Sequence, residues 1–272
     1  MEKLCRTLKV SRSGYYDWVC RGRQKHELQR LRDEELLGEI MRVFYASHRI
    51  FGYRKVYWKL KDQGIPCTLE RVRKLMSIRS VNARVVRKYR PQTTKADPAN
   101  AAYPNLLAQN FNVEAPNKVW VGDITYIRTG NSWSYLAMVI DLYDRRPVGW
   151  AVSRHPDAQL VCEALNNAFS KELPPGGLIF HSDQGCQYTS HSFRQLLAKY
   201  RMTGSNSRKG NPYDNAVAES FFRSLKTEWT NHYSFATLGQ AKESIYYYIE
   251  VFYKYFRPHQ SLNYLSPATA AM

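Results

Sequence analysis

The sequence predicts two architectures in one chain: an α/β domain built on a mixed, five-stranded sheet flanked by helices, preceded by an all-α region of helix-turn-helix type. Three observations carry this. Up to about residue 90 the apolar residues recur at helical spacing, whereas from residue 118 the runs read β-β-β-α-β-α-β-α, an order that belongs to mixed sheets covered by helices. The charge divides at the same place. The 272 residues carry 40 Lys and Arg against 23 Asp and Glu, a net of +17. Of these, 24 basic and 10 acidic residues fall in the first 110, a net of +14, leaving +3 for the rest. A basic front half joined to a nearly balanced rear half is the pattern of a polyanion-binding module followed by a part with a different task.

Residues 1–22 read as two short helices around a turn, Leu4 and Leu8 on one and Tyr15, Trp18 and Val19 on the other, with Ser11 or Ser13 as cap. Residues 1–26 are therefore expected to form a small helix-turn-helix-like segment with Arg12 among its DNA contacts. A second helical domain, 27–90, begins with a helix over 27–46 in which Leu28, Leu31, Leu36, Ile40 and Val43 share a face. Val56, Tyr57 and Leu60 predict a helix that stops at Gly64. Ile65-Pro66-Cys67 makes a turn, and Thr68 caps a helix with an apolar face of Leu69, Val72, Leu75 and Met76. Its other face carries Arg71, Arg73 and Lys74, the disposition of a recognition helix lying against phosphates and base edges, or of a solvated basic face.

The stretch 91–112 contains three prolines and no period, and is expected to be the interdomain linker. Residues 118–128, 134–142 and 147–153 then form three apolar, β-rich runs separated by Gly130-Asn131 and Asp144-Arg145-Arg146, an antiparallel meander. A helix over 157–172, a strand over 178–181, a helix over 190–200, a strand over 202–205 and a helix over 215–229 complete the α/β core, 113–232. A helical extension, 233–272, opens with Thr237 and Gln240 at capping-box spacing.

The longest apolar run is 135–140 and the first ten residues, MEKLCRTLKV, lack an apolar core. Membrane and secretory classes are thus not expected, since a spanning helix needs about 20 apolar residues. Cys5, Cys20, Cys67, Cys162 and Cys186 are scattered without a C-x-x-C pair, which reads as free thiols in a reducing cytoplasm.

Three carboxylates stand where a metal site can form. Asp123 lies inside the first strand, an unusual place for a charge unless it is paired or coordinated. Asp183 directly follows the fourth strand, and Glu219 lies in the helix after the fifth. Strand ends of an α/β sheet converge on one crevice, and bridging carboxylates can there hold two hard divalent ions about 3.5–4 Å apart for in-line phosphoryl transfer. The spacing also admits plainer readings: a strand-edge residue, a turn residue before Gly185 and an exposed helix position. On the Glu219 helix, Arg223 at i+4 and Lys226 at i+7 share the carboxylate's face and are expected to reach DNA phosphates, or to pair with Glu219. The loop with Arg208 and Lys209 supplies two further cations that can touch DNA, and His181 is expected to support the site by packing or hydrogen bonding.

The motifs W-V-G-D-I-T-Y around Asp123, H-S-D-Q-G-C-Q-Y-T-S around Asp183 and N-P-Y-D-N-A-V-A-E-S-F-F-R-S-L-K around Glu219 resemble the Asp-Asp-Glu signature of the retroviral-integrase superfamily. The wording is most similar to the catalytic, second-frame transposases of bacterial two-frame insertion sequences. The likeness continues at V-S-R-S-G-Y-Y-D-W, at F-G-Y-R-K-V and at R-P-H-Q-S-L-N-Y-L-S-P, and so covers essentially the whole chain. It implies a ribonuclease-H-like core, Mg2+ or Mn2+ as cofactor, and cleavage of transposon-end DNA followed by joining of a 3′-hydroxyl to a target phosphodiester. It implies metal ligation by Asp123, Asp183 and Glu219, and a homo-oligomer on paired ends. The full transposase of such elements is commonly a frameshift fusion with an upstream helix-turn-helix and leucine zipper, so a first-frame partner is also expected. Gln184 and Cys186 stand where Arg and Ser are more usual, and Lys254 where Asn is, departures that touch DNA contacts rather than the triad. A catalytically silent relative occupying transposon ends, or a simple nuclease of the same core, are the competing functions.

Overall fold

The computed structural model describes residues 2–8, 10–84, 102–208 and 211–271. The chain divides into two compact units, Met1–Arg84 and Val85–Met272.

The first unit is all-helical. Helix α1 (Glu2–Thr7) precedes α2 (Arg12–Ala46), a single helix of 35 residues capped by Ser11, whose side chain accepts from the Gly14 N–H. The expected pair of helices around a turn is present as α1 and the Ser11-capped start of α2, but the second helix does not stop near residue 22: it runs on through the boundary expected between 26 and 27 as one continuous rod. Gly22 does not break it, since an interior glycine costs only about 1 kcal/mol relative to alanine. Charge pairs one turn apart, Asp17–Arg21, Glu27–Arg30 and Arg30–Glu34, line the exposed stretch. Helix α3 (Tyr53–Asp62) buries Val56 and Leu60, and α4 (Leu69–Ile78) buries Val72, Leu75 and Met76 after the expected Thr68 cap. Leu69, expected on that apolar face, is exposed at the first helical position.

The second unit is the expected α/β core. Strands β1 (Val119–Thr129), β2 (Ser132–Asp141) and β3 (Pro147–Ser153) form the antiparallel meander. Helix α5 (Ala158–Glu172) leads to β4 (Ile179–Ser182); the short α6 (Cys186–Thr189) and α7 (His191–Lys199) lead to β5 (Thr203–Asn206). The sheet order is β3-β2-β1-β4-β5, with β1, β4 and β5 mutually parallel. One core contains Trp120, Val139, Val148, Leu160, Leu165, Phe180 and Phe193. Gly149 allows α5 to approach β3: a Cβ there would lie 2.5 Å from the Ala164 carbonyl oxygen and 2.5 Å from the Ala168 nitrogen.

Helix α8 (Ala216–Glu228) packs on β1 and buries Ala218, Phe221, Phe222 and Leu225. Helix α9 (Leu238–Tyr246), capped by Thr237, continues over Tyr247–Phe256 with the wider turns of a π-helix, and the chain ends in α10 (Pro267–Ala270). The extension is fastened to α8 rather than appended to it. Arg257 donates from Nε to Glu228 (2.7 Å), from Nη2 to Glu228 (2.8 Å) and to Ser224 (2.8 Å), and the Tyr248 hydroxyl donates to the same carboxylate (3.1 Å).

Of the expected linker, residues 91–101 lie outside the described residues, and the remainder is docked. The Tyr103 N–H donates to Asn206 Oδ1 and the Leu106 N–H to Ser205 Oγ, both on β5, and Leu107 is buried. A buried polar edge takes donors from any neighbouring backbone, so lack of period did not mean lack of structure here.

Candidate active site

The strand register builds the site. In the parallel pair β1–β4 the last partners are Val121 and His181. Two residues further along each strand direction stand Asp123 and Asp183, level with one another where the two chains part. Adjacent strands run about 4.8 Å apart, so both carboxylates reach one cavity, which they line together. Asp123 Oδ1 accepts from the Ile124 N–H (2.7 Å), and Asp183 Oδ1 from the Gly185 N–H (3.0 Å). Glu219 lies in the first turn of α8, where the helix dipole favours a carboxylate. At the start of that helix the Asn215 amide donates to the Gly122 carbonyl at 3.5 Å, tying α8 to β1 one residue before Asp123.

Electrostatics report the convergence. Burial, and next the charge of Asp183, hold the Asp123 carboxyl well above the usual carboxylate range; the Ile124 N–H opposes this, Glu219 adds to it and Lys226 opposes it. Burial, with Asp123 opposing, pushes the Lys226 ammonium down to about 8. Such crowding of negative groups in a desolvated cleft is relieved by a hard cation, and the donor set is all oxygen. The residues therefore fit divalent metal ions. Among the described residues no three His, Cys, Asp or Glu side chains are gathered tightly enough to hold an ion as they stand.

His181 is fully buried. Its Nε2 lies 3.0 Å from the Asp214 carbonyl oxygen, so that nitrogen carries the proton, and Nδ1 accepts from Ser205 Oγ at 2.8 Å. Burial holds its pKa below the ordinary value. The imidazole thus joins β4, β5 and the turn before α8.

The expected DNA contacts meet different fates. Arg223 is exposed on α8, but Lys226 is half-buried and lies over the Tyr126 ring, 3.6 Å from its centre. Arg208 forks onto the buried Asp214 carboxylate at 2.9 Å through both Nε and Nη2, and Lys209 lies outside the described residues. Arg71 is spent on Asp33 of α2, and Arg73 pairs with Glu70 at 2.7 Å. Lys74 is exposed, and Arg12, at the start of α2, stands over the Tyr16 ring. Sequence reasoning missed Asn215, the Arg208–Asp214 fork and the tyrosines beside the carboxylates. Tyr126, Tyr188 and Asn215 carried a signal, since each lies inside one of the motifs around the three acids.

Residues 113–212 and 200–267 match two families each described as Integrase core domain, and residues 31–89 match an HTH-like domain. The chain is 41% identical over 237 residues to the transposase for insertion sequence element IS904 of Lactococcus lactis subsp. lactis (strain IL1403), covering 86% of this chain and 93% of that protein. It is 35% identical over 267 residues to transposase InsF for insertion sequence IS3A of Escherichia coli (strain K12), covering 98% and 92%. It is 38% identical to the insertion element IS600 uncharacterized 31 kDa protein of Shigella sonnei, covering 97% and 96%. Among solved structures, the simian T-cell lymphotropic virus intasome matches with TM-score 0.49 and 13% identity over 85% of this chain and 74% of that one. The HTLV-2 integrase catalytic core domain in complex with magnesium matches with TM-score 0.46 and 14% identity over 58% and 97%. With its carboxylates level at the parting of two parallel strands and relatives matched almost end to end, the chain belongs to the insertion-sequence transposases that carry an integrase core domain.

Proposed function

We propose that this transposase cuts transposon-end DNA and transfers the freed 3′-hydroxyl to a target phosphodiester, using Mg2+ or Mn2+, two ions in the active complex, held by Asp123, Asp183 and Glu219. The observation that carries it is the register that sets Asp123 level with Asp183, with Glu219 close enough on α8 to raise the Asp123 pKa. Bound ions would offset phosphate charge and favour ionisation of the attacking hydroxyl.

The rest is the work of the chain. The His181–Ser205 and His181–Asp214 hydrogen bonds hold the end of β4, and hence Asp183, against β5 and the turn that starts α8. Lys226 keeps a cation beside Asp123, and Arg223 faces outward one turn from Glu219, where it can steady a phosphate. The +14 of the first 110 residues supplies the salt-sensitive grip on DNA. Partners on this reading are double-stranded transposon ends and target DNA, further copies on paired ends, and a first-frame fusion partner. The setting is the bacterial cytoplasm, at the nucleoid. Among the described residues no helix is long and apolar enough to cross a membrane.

The test is end DNA incubated with protein and Mg2+, scored for cleaved and joined strands. Asp183→Asn is expected to abolish both while end binding persists. Full activity in that variant refutes the assignment. Binding by the wild type without cleavage, with the first-frame partner present, would instead identify a silent occupant of ends, and cleavage without joining a nuclease.

A further inference from the structure

Beside Asp123 and Asp183 the same cavity, about 140 Å³, continues into a pocket that phosphate chemistry does not need. Its walls are Tyr126, Tyr135 and Tyr188, with Pro156 and Gln187 at the mouth. Tyr126 and Tyr135 are opposite partners on β1 and β2, so their rings stand on one face of the hairpin, and the buried Tyr188 closes the end nearer the carboxylates. Lys226 covers part of the Tyr126 ring, and the Gln187 amide donates to the Pro156 carbonyl at 2.6 Å, fixing the rim. The 140 Å³ includes the space beside the two carboxylates, and it is the three tyrosines on the remaining wall that suit a flat heterocycle. Aromatic walls next to a phosphate site are what an unstacked base requires.

We infer that this pocket receives one nucleobase extruded from the duplex next to the phosphate held at the carboxylates. The inference rests on the transposase reading, which brings DNA to Asp123 and Asp183. The occupant is a base because a nucleotide adjoining that phosphate is the one planar group the substrate carries to this position. Extrusion would widen access to the phosphodiester, and stacking on tyrosine would offset the lost stacking in the duplex.

The test is a scan with 2-aminopurine placed singly at each position flanking the cleaved bond, read before and after Mg2+ is added. One position is expected to brighten severalfold on binding the wild-type protein and to stay at the free-duplex level with Gln187→Trp, whose indole fills the mouth. Gln187→Trp should also cut a fully paired end about tenfold more slowly, the scale of one base–aromatic stack, and an abasic residue at the bright position should restore the rate. The inference is overturned if every position stays dark with the wild type, or if Gln187→Trp cuts the paired end at the wild-type rate. Wild-type protein that cuts no strand with Mg2+ or Mn2+ counts against the transposase reading instead, while the fluorescence scan still decides the pocket.

Discussion

Replacing Arg257 by Met tests how α8 is held. The Arg257 side chain is 9% exposed and the Glu228 side chain 12% exposed, so the pair is nearly out of water. Arg257→Met removes two charge-assisted bonds to Glu228 and one to Ser224, and breaks the 3.0 Å contact with His259 Nε2, while the Glu228 carboxylate keeps its burial. Removing one member of such a pair typically costs about 3–5 kcal/mol. For a unit of this size that corresponds to a fall in Tm of about 10 °C. Replacing both residues, Arg257→Met with Glu228→Met, leaves no carboxylate to strand and should recover at least half of the loss. The assay is urea unfolding of the four proteins of the cycle, followed through the fluorescence of Trp229, which stacks on Tyr247 at 5.5 Å. A loss below about 1 kcal/mol in Arg257→Met, the scale of an exposed pair, or a double variant as unstable as the sum of the singles, would refute the claim that the clasp holds α8.

Three other outcomes follow from the same structure. Asp123→Asn removes a buried charge facing Asp183 and Glu219, so it should melt at a higher temperature than wild type in EDTA, while Mg2+ or Mn2+ raises the wild-type Tm and leaves the variant's unchanged; equal metal responses would contradict the proposed ligation. The Arg208 guanidinium and backbone N–H, with the Gln109 amide, hold the Asp214 carboxyl well below the usual range. Its folded pKa is thus lower than its unfolded value of about 3.9, so its contribution is complete above that pH and is lost as pH falls through the folded value. The stability gap between wild type and Asp214→Asn should then be constant near neutrality and shrink below about pH 4, and urea midpoints showing a constant gap to pH 3 would exclude this. In the helical unit, Lys74→Ala should lower the salt slope of DNA binding by about one without changing the melt. Arg71→Met should lower the melt because it strips Asp33 of its partner, and a stable Arg71→Met with weakened binding would reverse the two roles.

Strands and most helices were legible because each buries an apolar set: β-rich runs bounded by turns for β1 and β2, and a capped stripe for α4. The three acids were legible through their motifs, and the convergence of Asp123 and Asp183 follows from two residues of extension past one parallel pair. What stayed hidden depends on partners distant in the chain. Nothing at Arg71 announces Asp33, 38 residues earlier, and nothing at Arg208 shows that its fork will close on Asp214 rather than on DNA. Lys226 was placed on the correct face of α8, but helical phase alone does not say that a long cation will fold back over Tyr126. The full span of the 35-residue α2 was hidden because its first half is mostly exposed and leaves no continuous apolar stripe to follow.

The docked segment before the core has a consequence for how copies of this chain can meet. β5 is an outer strand of the sheet, only four residues long, and it contains Gly204. The Tyr103 ring lies so close over that glycine that an added Cβ would meet it at 2.4 Å, while the Tyr103 and Leu106 amides bond side chains of the strand instead of extending its ladder. The chain thus seals its own border against a foreign strand, the commonest route to uncontrolled growth between sheets. A strand approaching this border meets the docked segment instead of an open ladder, so the border offers no exposed template for fibre formation.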